Sequence, residues 1–240
     1  MDLKFWLSRI LPYTCILCAE ASTQQRDICV ACEADFPMHQ NACLQCGNHL
    51  LMAGEKRYCG ACLNHPPAFD RLLALCDYAP PIDRMLIQAK FHAQLIHLEI
   101  LSALLSEKII RQWYNESPLP HYIIPIPLHR KRLRERGYNQ ALELAKPISR
   151  QLHTPLRQDI CIRAKPTVAQ STLPHKERQE NVRHAFKVNT SVKDQHIAIV
   201  DDIVTTGHTV NALSLLLKEA GAKQIDIWCC AKTQCEPVVR

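Results

Sequence analysis

The chain has 240 residues, of which 47% are hydrophobic and 22% are charged, and this composition excludes a largely disordered protein. No apolar run approaches the roughly 20 residues that cross a bilayer, and the N-terminus lacks the apolar core of a signal peptide. The sequence therefore predicts a cytoplasmic protein without a membrane span. The formal net charge is +6, which by itself would suit an acidic partner.

The first residues form one apolar helical face. Leu3, Trp6, Leu7 and Ile10 recur at the spacing that puts them on one side of a short helix. The favoured interpretation is a cap over the neighbouring cysteine-rich segment or over the main core. The alternative is a helix that docks on a partner protein.

Eight of the 13 cysteines fall into four Cys-x-x-Cys pairs, with ten, ten and twelve residues between successive pairs. Each pair aims two sulfur atoms at one point, and two pairs complete a tetrahedral Zn²⁺ site. So short a segment builds little apolar core, so metal binding would supply most of its folding energy. The sequence therefore predicts two structural zinc ions. Their predicted ligands are Cys15, Cys18, Cys29, Cys32, Cys43, Cys46, Cys59 and Cys62.

Two other chemistries stay open for these pairs. Redox dithiols would need only one pair, and the cysteines of an iron–sulfur cluster are less regularly paired. Zinc is favoured over both, and pairing of consecutive motifs is favoured over a cross-brace. Two zinc ions held by eight thiolates would lower the net charge to about +2, so the global charge says little about partners.

The other five cysteines are scattered, and the 12 histidines show no metal-ligand spacing. We expect these cysteines to be small buried side chains, mainly in strands. Most histidines are expected to be exposed or hydrogen-bonded. The scattered cysteines are Cys76, Cys161, Cys229, Cys230 and Cys235.

His65-Pro66-Pro67 is a turn signal that marks the predicted domain boundary. Residues 1–66 would hold the N-terminal helix and a double zinc ribbon, and residues 67–240 would form the main domain. The predicted elements that follow are a strand at 71–78, a short helix at 82–90, a longer apolar helix at 94–114 and a loop at 115–120.

A strand predicted at residues 121–127 leads into a basic segment. Five of the seven residues from Arg130 to Arg136 are lysine or arginine. At the carboxyl end of a strand, such a segment could hold a pyrophosphate group, which needs charge-assisted partners. Pro127, His129 and Arg130 are the candidate contacts. The competing interpretation is a solvent-exposed helix face, because runs of charged residues usually lie on such faces.

A third strand, predicted at residues 160–163, is followed by the long polar segment 164–182. A segment of this length inside a compact domain is usually functional or mobile. The last predicted strand is at residues 224–231. Strands that alternate with helices in this way are typical of a parallel α/β sheet.

The most informative stretch runs from Ile197 to Thr209. Ile197 to Val200 is an apolar run typical of a buried parallel strand, and open α/β sheets bind ligands at the carboxyl ends of such strands. Asp201 and Asp202 follow this run. Their carboxylates only accept hydrogen bonds, which suits the vicinal hydroxyls of a sugar.

A hydroxyl-rich turn comes next, at the start of a predicted helix that Gly221 closes. Hydroxyl side chains and free N–H groups at a helix N-terminus form a ready phosphate site. A diol binder and a phosphate binder a few residues apart indicate a ribose 5-phosphate. The competing interpretation is an ordinary strand–turn–helix with solvated aspartates. The candidate phosphate contacts are Thr205, Thr206, Gly207, His208 and Thr209.

This stretch resembles the signature of type I phosphoribosyltransferases, enzymes that bind 5-phosphoribosyl-1-pyrophosphate (PRPP). The family pattern is four apolar residues, two acids, two apolar residues and a Thr/Gly-rich loop, and His208 is the one departure from it. The resemblance implies an α/β fold with a mostly parallel sheet flanked by helices, here with a small N-terminal zinc-ribbon module. It also implies a lid just before the signature strand, with Gln170, Ser171 and Arg178 as lid residues.

Several features together resemble the competence protein F family of bacterial phosphoribosyltransferase-like proteins. The match runs from Cys15 to about Lys232, although His92-Ala-Gln94 stands where the family often has a glycine. Membership implies a link to natural transformation, in which imported single-stranded DNA is handled in the cytoplasm alongside a helicase partner. The features are the double zinc ribbon, Lys90-Phe91, Pro125-Ile-Pro-Leu-His129, Arg134-Glu-Arg-Gly-Tyr-Asn-Gln140, the lid-like segment and the acid-pair signature.

The resulting hypothesis is ribosyl transfer at C1 of PRPP, with pyrophosphate leaving and Mg²⁺ bound mostly through PRPP oxygens. Asp201 and Asp202 would hold the ribose hydroxyls and stabilise developing positive charge. The alternative is a non-catalytic nucleic-acid or protein-binding adaptor that keeps the pocket as a sensor or a relic. Its basic segments could follow a phosphate backbone, whereas an aromatic content of 6% does not favour base-specific readout. No residue set identifies an acceptor.

Overall fold

The computed structural model describes residues 13–50, 57–164 and 185–234. The predicted N-terminal helix, Cys235 and the lid residues Gln170, Ser171 and Arg178 lie outside the described residues. In the three described ranges, none of the helices combines the length and the apolar character needed to cross a membrane.

The described residues contain six strands in two separate sheets. The strands are β1 (Arg71–Asp77), β2 (Tyr122–Pro125), β3 (Cys161–Arg163), β4 (Phe186–Val188), β5 (His196–Val204) and β6 (Gln224–Lys232). Four of them form a fully parallel sheet in the order β1–β6–β5–β2, and β3 pairs with β4 in an antiparallel sheet of two strands. The parallel α/β sheet expected from the sequence is confirmed. Strand β4 was not predicted.

Seven α-helices belong to the described part of the chain. They are α1 (Val30–Ala34), α2 (Gly60–Asn64), α3 (Ile82–Phe91), α4 (Ile96–Lys108), α5 (Arg130–Arg136), α6 (Gln140–Leu152) and α7 (His208–Glu219). A π-helical turn, Ile109–Trp113, extends α4. Helix α6 was not predicted, although its buried residues recur at helical spacing; they are Ala141, Leu144, Ala145, Ile148 and Leu152.

Alternate residues of a strand point to opposite faces of a sheet. In the main sheet both of these faces are buried. Leu75 and Trp228 belong to a core cluster shared with α3, α4 and α6. Leu72, Ile199 and Ile227 belong to a second core cluster shared with α7. The nearly continuous apolar runs of the strands follow from this two-sided burial.

The cysteine-rich segment covers the outer edge of β1, because its backbone pairs with this edge strand. The N–H group of His39 donates to the carbonyl of Leu75 at 3.0 Å, and the N–H group of Leu72 donates to the carbonyl of Leu44 at 3.0 Å. Lys108 at the end of α4 is buried, and its ammonium group donates to three backbone carbonyls, including that of His39. These contacts satisfy polar groups that an open sheet edge would leave unpaired.

A buried polar network closes the amino end of the sheet around Asp226 of β6. The Arg71 guanidinium donates two hydrogen bonds to this carboxylate, at 3.0 and 2.6 Å. His196 Nε2 lies 2.8 Å from it, and the Tyr114 hydroxyl donates a further hydrogen bond. The network links β1, β5, β6 and the end of the π-helical turn around one fully buried charge.

Candidate functional site

The eight paired cysteines form two clusters of four sulfur atoms. Within each cluster the Sγ atoms all lie within 4.8 Å of one another. Consecutive motifs share a cluster, which is the pairing that the sequence favours. The first cluster is Cys15, Cys18, Cys29 and Cys32, and the second is Cys43, Cys46, Cys59 and Cys62.

The sulfur spacing fits zinc. The Sγ atoms of Cys18 and Cys29 are 3.7 Å apart, and those of Cys46 and Cys59 are 3.6 Å apart. A tetrahedral zinc ion with Zn–S bonds of about 2.3 Å holds its sulfur ligands about 3.8 Å apart. Burial alone would raise the pKa of the Cys15 thiol, but hydrogen bonds from neighbouring backbone N–H groups outweigh it and lower this pKa to about 6. The two clusters therefore fit two structural zinc sites.

The acid pair lies inside β5 and not after it, because the strand continues to Val204. The predicted strand ended at Val200. The neighbouring strand β2 ends sooner, with Pro125 aligned to Val200. Asp201 and Asp202 therefore extend past the carboxyl end of β2, at the edge where open α/β sheets bind ligands.

The two carboxylates repel each other. Both residues are half-buried. Burial, together with the negative charge of Asp202, raises the pKa of Asp201 well above its usual value. A cation or a pair of hydroxyl donors between the carboxylates would relieve this repulsion, and carboxylate oxygens are the hard ligands that Mg²⁺ takes. The pair fits a ribose diol, a magnesium ion or both.

The loop after β5 leads directly into the N-terminus of α7. Thr205 and Thr206 are exposed. Gly207 begins the helix with a φ of +78°, a left-handed conformation that glycine adopts without strain. It makes no side-chain capping hydrogen bond, and the N–H groups at the start of a helix attract an anion. The N-terminus of this 12-residue helix therefore lies a few residues after the acid pair.

Basic side chains surround the acid pair on neighbouring elements. Lys90 at the end of α3 is near enough for its charge to lower the pKa of Asp201. Burial and the charge of Arg132 lower the pKa of Arg163 on β3, and the charge of Asp201 opposes them. Lys90 and Arg163 thus lie within electrostatic reach of Asp201, and Arg132 lies within reach of Arg163. Such a group attracts a ligand with several negative charges.

The predicted contacts of pyrophosphate and of the 5-phosphate line different cavities. Pro127, His129 and Arg130 line a cavity of about 520 Å³ that also includes Arg163. Thr206 and Gly207, together with His208, line another cavity of about 260 Å³, which they share with Cys46 and Cys62 of the second sulfur cluster. The loop after β5 and the second sulfur cluster therefore border the same cavity.

Sequence reasoning missed several side chains of this site. Arg163 and Arg132 reach it from β3 and α5, and Lys90 from α3, whose role the sequence left uncertain. Asn139 donates from its Nδ2 atom to the carbonyl of Ile126 at 2.9 Å and so fixes the segment after β2. The basic run was a usable signal for Arg132, whereas the position of Arg163 depends on the pairing of β3.

The fold and the site together define a phosphoribosyltransferase-like protein that carries a double zinc ribbon. The family model of the double zinc ribbon domain matches residues 6–63, and that of the phosphoribosyl transferase domain matches residues 139–239.

Similarity to curated relatives identifies the family of this chain. The DNA utilization protein YhgH of Shigella flexneri is 35% identical over 207 residues, which cover 86% of this chain and 90% of the relative. Competence protein F of Haemophilus influenzae is 32% identical over 224 residues, which cover 90% and 95%. Competence protein ComFC of Bacillus subtilis is 35% identical over 105 residues, which cover 43% and 41%. The chain belongs to the family of competence protein F and DNA utilization protein YhgH.

Proposed function

We propose that this protein binds PRPP with Mg²⁺ at residues 201–209 and acts in the use of imported DNA. One observation carries the first part of this proposal. An acid pair at the carboxyl edge of a parallel sheet is followed within a few residues by a left-handed glycine at the N-terminus of a helix. This order puts acceptors for the ribose hydroxyls next to donors for the 5-phosphate.

The acid pair would contact the ribose. Asp201 and Asp202 would accept hydrogen bonds from the 2- and 3-hydroxyls, and these donors would relieve the repulsion that raises the pKa of Asp201. Bound with PRPP, Mg²⁺ would neutralise charge on the pyrophosphate. The same carboxylates would stabilise positive charge that develops at C1 of the ribose.

The basic side chains would contact the pyrophosphate. His129 and Arg130 follow β2, and Lys90 and Arg163 carry charge to the neighbourhood of Asp201. Charge-assisted hydrogen bonds of this kind are the strong ones for phosphate groups. The proposed lid residues Gln170, Ser171 and Arg178 are not among the described residues. In the proposal they would cover the site and keep water from a reactive ribosyl centre.

The DNA part of the proposal is supported by the relatives. Their names refer to DNA utilization and to competence, so we assign this chain to natural transformation. Its partners would be single-stranded DNA and a helicase of the uptake machinery, and its compartment the cytoplasm. PRPP binding would need only the transferase-like domain (residues 67–240). The zinc unit (residues 1–66) would therefore contact other partners.

Isothermal titration with PRPP and Mg²⁺ tests the pocket. The double variant Asp201→Asn with Asp202→Asn keeps the size of both side chains but removes their charge, and we expect it to lose measurable PRPP binding. Asp159→Asn is the matched control, because Asp159 is exposed and pairs with Arg157 on the surface. Unchanged affinity in the double variant, with the fold intact by circular dichroism, would contradict the proposal.

A pyrophosphate-release assay then separates an enzyme from a sensor. Wild-type protein with PRPP, Mg²⁺ and a panel of candidate bases and amines should release pyrophosphate if ribosyl transfer takes place. Binding without release for every acceptor would support a PRPP sensor.

A second candidate function is a nucleic-acid-binding adaptor, and one observation favours it. Helix α5 carries five basic residues in seven positions, and all but Arg136 of its residues are exposed. The variant Arg132→Gln with Arg134→Gln should weaken binding of single-stranded DNA and reduce its salt dependence. Arg150→Gln on the exposed surface of α6 is the control. Equal salt dependence in all three proteins would exclude α5 as the contact.

A further inference from the structure

Two histidines and an aspartate meet where the second zinc ribbon contacts β1. His39 Nδ1 lies 2.6 Å from Asp77 Oδ1, and His49 Nε2 lies 3.0 Å from the same oxygen and 3.1 Å from Oδ2. The two imidazole rings have their centroids 5.0 Å apart. These three residues, here called the His–Asp cluster, lie outside both groups of cysteines.

The backbone around the cluster holds its members in fixed positions. The N–H group of His39 donates to the carbonyl of Leu75 at 3.0 Å, and the N–H group of Asp77 donates to the carbonyl of Pro37 at 2.7 Å. His49 pairs with Ala42 next to the second sulfur cluster. The three side chains therefore converge from well-ordered hydrogen-bonded segments, which is the arrangement that a metal site needs.

The carboxylate of Asp77 has several nitrogen neighbours. Three nitrogen atoms crowd Asp77 Oδ1, because Gln234 Nε2 also lies 3.0 Å from it. His49 Nε2 also lies 3.1 Å from Oδ2, so both carboxylate oxygens have nitrogen neighbours. A cation between the two imidazoles and this carboxylate would be bound by all three side chains, and neutral imidazole is the commonest protein ligand of transition metals.

We propose that His39, His49 and Asp77 form a third metal site, which takes Zn²⁺ and fastens the second ribbon to the transferase-like domain. Two histidines and one carboxylate are a ligand set that zinc uses when its fourth position is open to water. The exposure of the site agrees with this assignment. The His39 side chain is 5% exposed and anchors the ion inside, whereas the Asp77 and His49 side chains are 25% and 35% exposed and leave one side open to solvent.

The position of the site defines what the ion does. His39 and His49 belong to the ribbon segment, and Asp77 is the last residue of β1. The ion adds a bridge between two parts of the chain that already meet through backbone hydrogen bonds, Lys108, the Arg26–Glu107 ion pair and core packing. Four thiolates bind zinc more tightly than two imidazoles and one carboxylate with an open fourth position. A chelator could therefore remove the ion of the His–Asp cluster and leave the two thiolate-bound ions in place.

Zinc content tests the proposal on the full-length protein. We expect wild-type protein equilibrated with zinc to hold one ion more than its two Cys₄ clusters, and a chelator of moderate affinity should release that extra ion first. His49→Gln keeps an amide donor for Asp77 but removes the imidazole ligand, so it should lose only the extra ion. His92→Gln, at an exposed histidine outside the cluster, should keep it. An extra ion that persists in His49→Gln, or its absence from wild-type protein in excess zinc, would overturn the assignment.

A second measurement needs no variant. Co²⁺ added to protein whose Cys₄ sites hold zinc should give weak visible absorption without a thiolate-to-cobalt charge-transfer band, because the His–Asp cluster contains no sulfur. A charge-transfer band, or no bound cobalt, would contradict a third site of this composition.

Discussion

Lys232 Nζ donates a hydrogen bond of 2.9 Å to the backbone carbonyl of Thr205. Lys232 is the last residue of β6 and is only 2% exposed, and Thr205 is the first residue of the loop after β5. A second hydrogen bond, to the carbonyl of Thr233, fixes the ammonium group. The end of one strand thus holds the loop that follows its neighbour, and it brings a buried positive charge beside the proposed phosphate site.

Lys232→Met should weaken PRPP binding. The substitution removes the hydrogen bond that holds the Thr205 carbonyl and a buried charge beside the proposed phosphate site. We expect PRPP affinity to fall by about tenfold, which is about 1.4 kcal/mol of binding free energy. Isothermal titration gives the change, and Lys218→Met is the control because Lys218 pairs with Asp70 at the surface. Equal PRPP affinity in both variants would show that the Thr205 contact does not support the site.

Gly207→Ala and Gly221→Ala separate an effect on the site from an effect on the fold. Both glycines have a left-handed backbone, with φ of +78° and +97°, but a Cβ atom at Gly207 meets open space, whereas one at Gly221 lies 3.1 Å from Lys193 Cα. We expect Gly207→Ala to cost about 1 kcal/mol of stability and to weaken PRPP binding. Gly221→Ala should cost more stability and leave PRPP affinity unchanged. Urea unfolding and titration of both variants check this, and the reverse pattern would contradict it.

Removal of one zinc ligand should destabilise more than the ribbon. Cys15 shares a core cluster with Leu75 of β1 and Leu101 of α4, so loss of its ion also disturbs packing on the sheet. Cys15→Ser should lose one thiolate-bound zinc ion per chain and lower the unfolding temperature. Cys161→Ala, at a buried cysteine of β3 outside both clusters, should keep its zinc. Metal analysis with thermal unfolding tests this, and a full zinc content in Cys15→Ser would contradict the assignment of the ligands.

Asp226→Asn should lower the free energy of unfolding by about 3–5 kcal/mol and be one of the most destabilising single changes. It removes the negative charge that pairs with Arg71 inside a buried network. Burial alone would raise the pKa of Asp226, but hydrogen bonds from His196, Arg71 and Tyr114 outweigh it and lower this pKa to about 2. The folded pKa lies below the unfolded value of about 3.9. The stabilisation is therefore fully present above about pH 4 and is lost as the pH falls through about 2.

The urea midpoints of wild type and Asp226→Asn should differ by the same amount at pH 7 and at pH 5. Comparison of the two proteins at each pH removes the shared effect of acid on the zinc sites. A difference that already shrinks between pH 7 and pH 5 would contradict the depressed pKa.

The elements with a strong local pattern were predictable from the sequence. The strand cores of β1, β2, β5 and β6 are apolar runs buried on both faces, and the four Cys-x-x-Cys pairs gave both sulfur clusters with the correct pairing. Helix α6 also had a helical pattern of buried residues, so its omission was an error of interpretation. The acid pair was recognised, but β5 runs four residues past Val200 because its pairing with β6 continues there.

Contacts between distant residues were not predictable from one sequence. His39, His49 and Asp77 are separated by up to 38 positions, and only the pairing of the ribbon with β1 brings them together. Lys108 stands in an apolar helix, where its sequence context gives no sign of the three carbonyls it binds. Arg163 reaches the acid pair through the antiparallel pairing of β3 with β4. Such partners are set by tertiary packing, which local patterns do not encode.

The central claim is that residues 201–209 bind a ribose 5-phosphate, and a crystal structure of the protein with PRPP and Mg²⁺ tests it most directly. We predict that the 2- and 3-hydroxyls lie within hydrogen-bonding distance of the Asp201 and Asp202 carboxylates. The 5-phosphate should accept hydrogen bonds from the N–H groups at the start of α7. PRPP bound away from the acid pair, or no bound PRPP at concentrations that saturate known phosphoribosyltransferases, would contradict the claim.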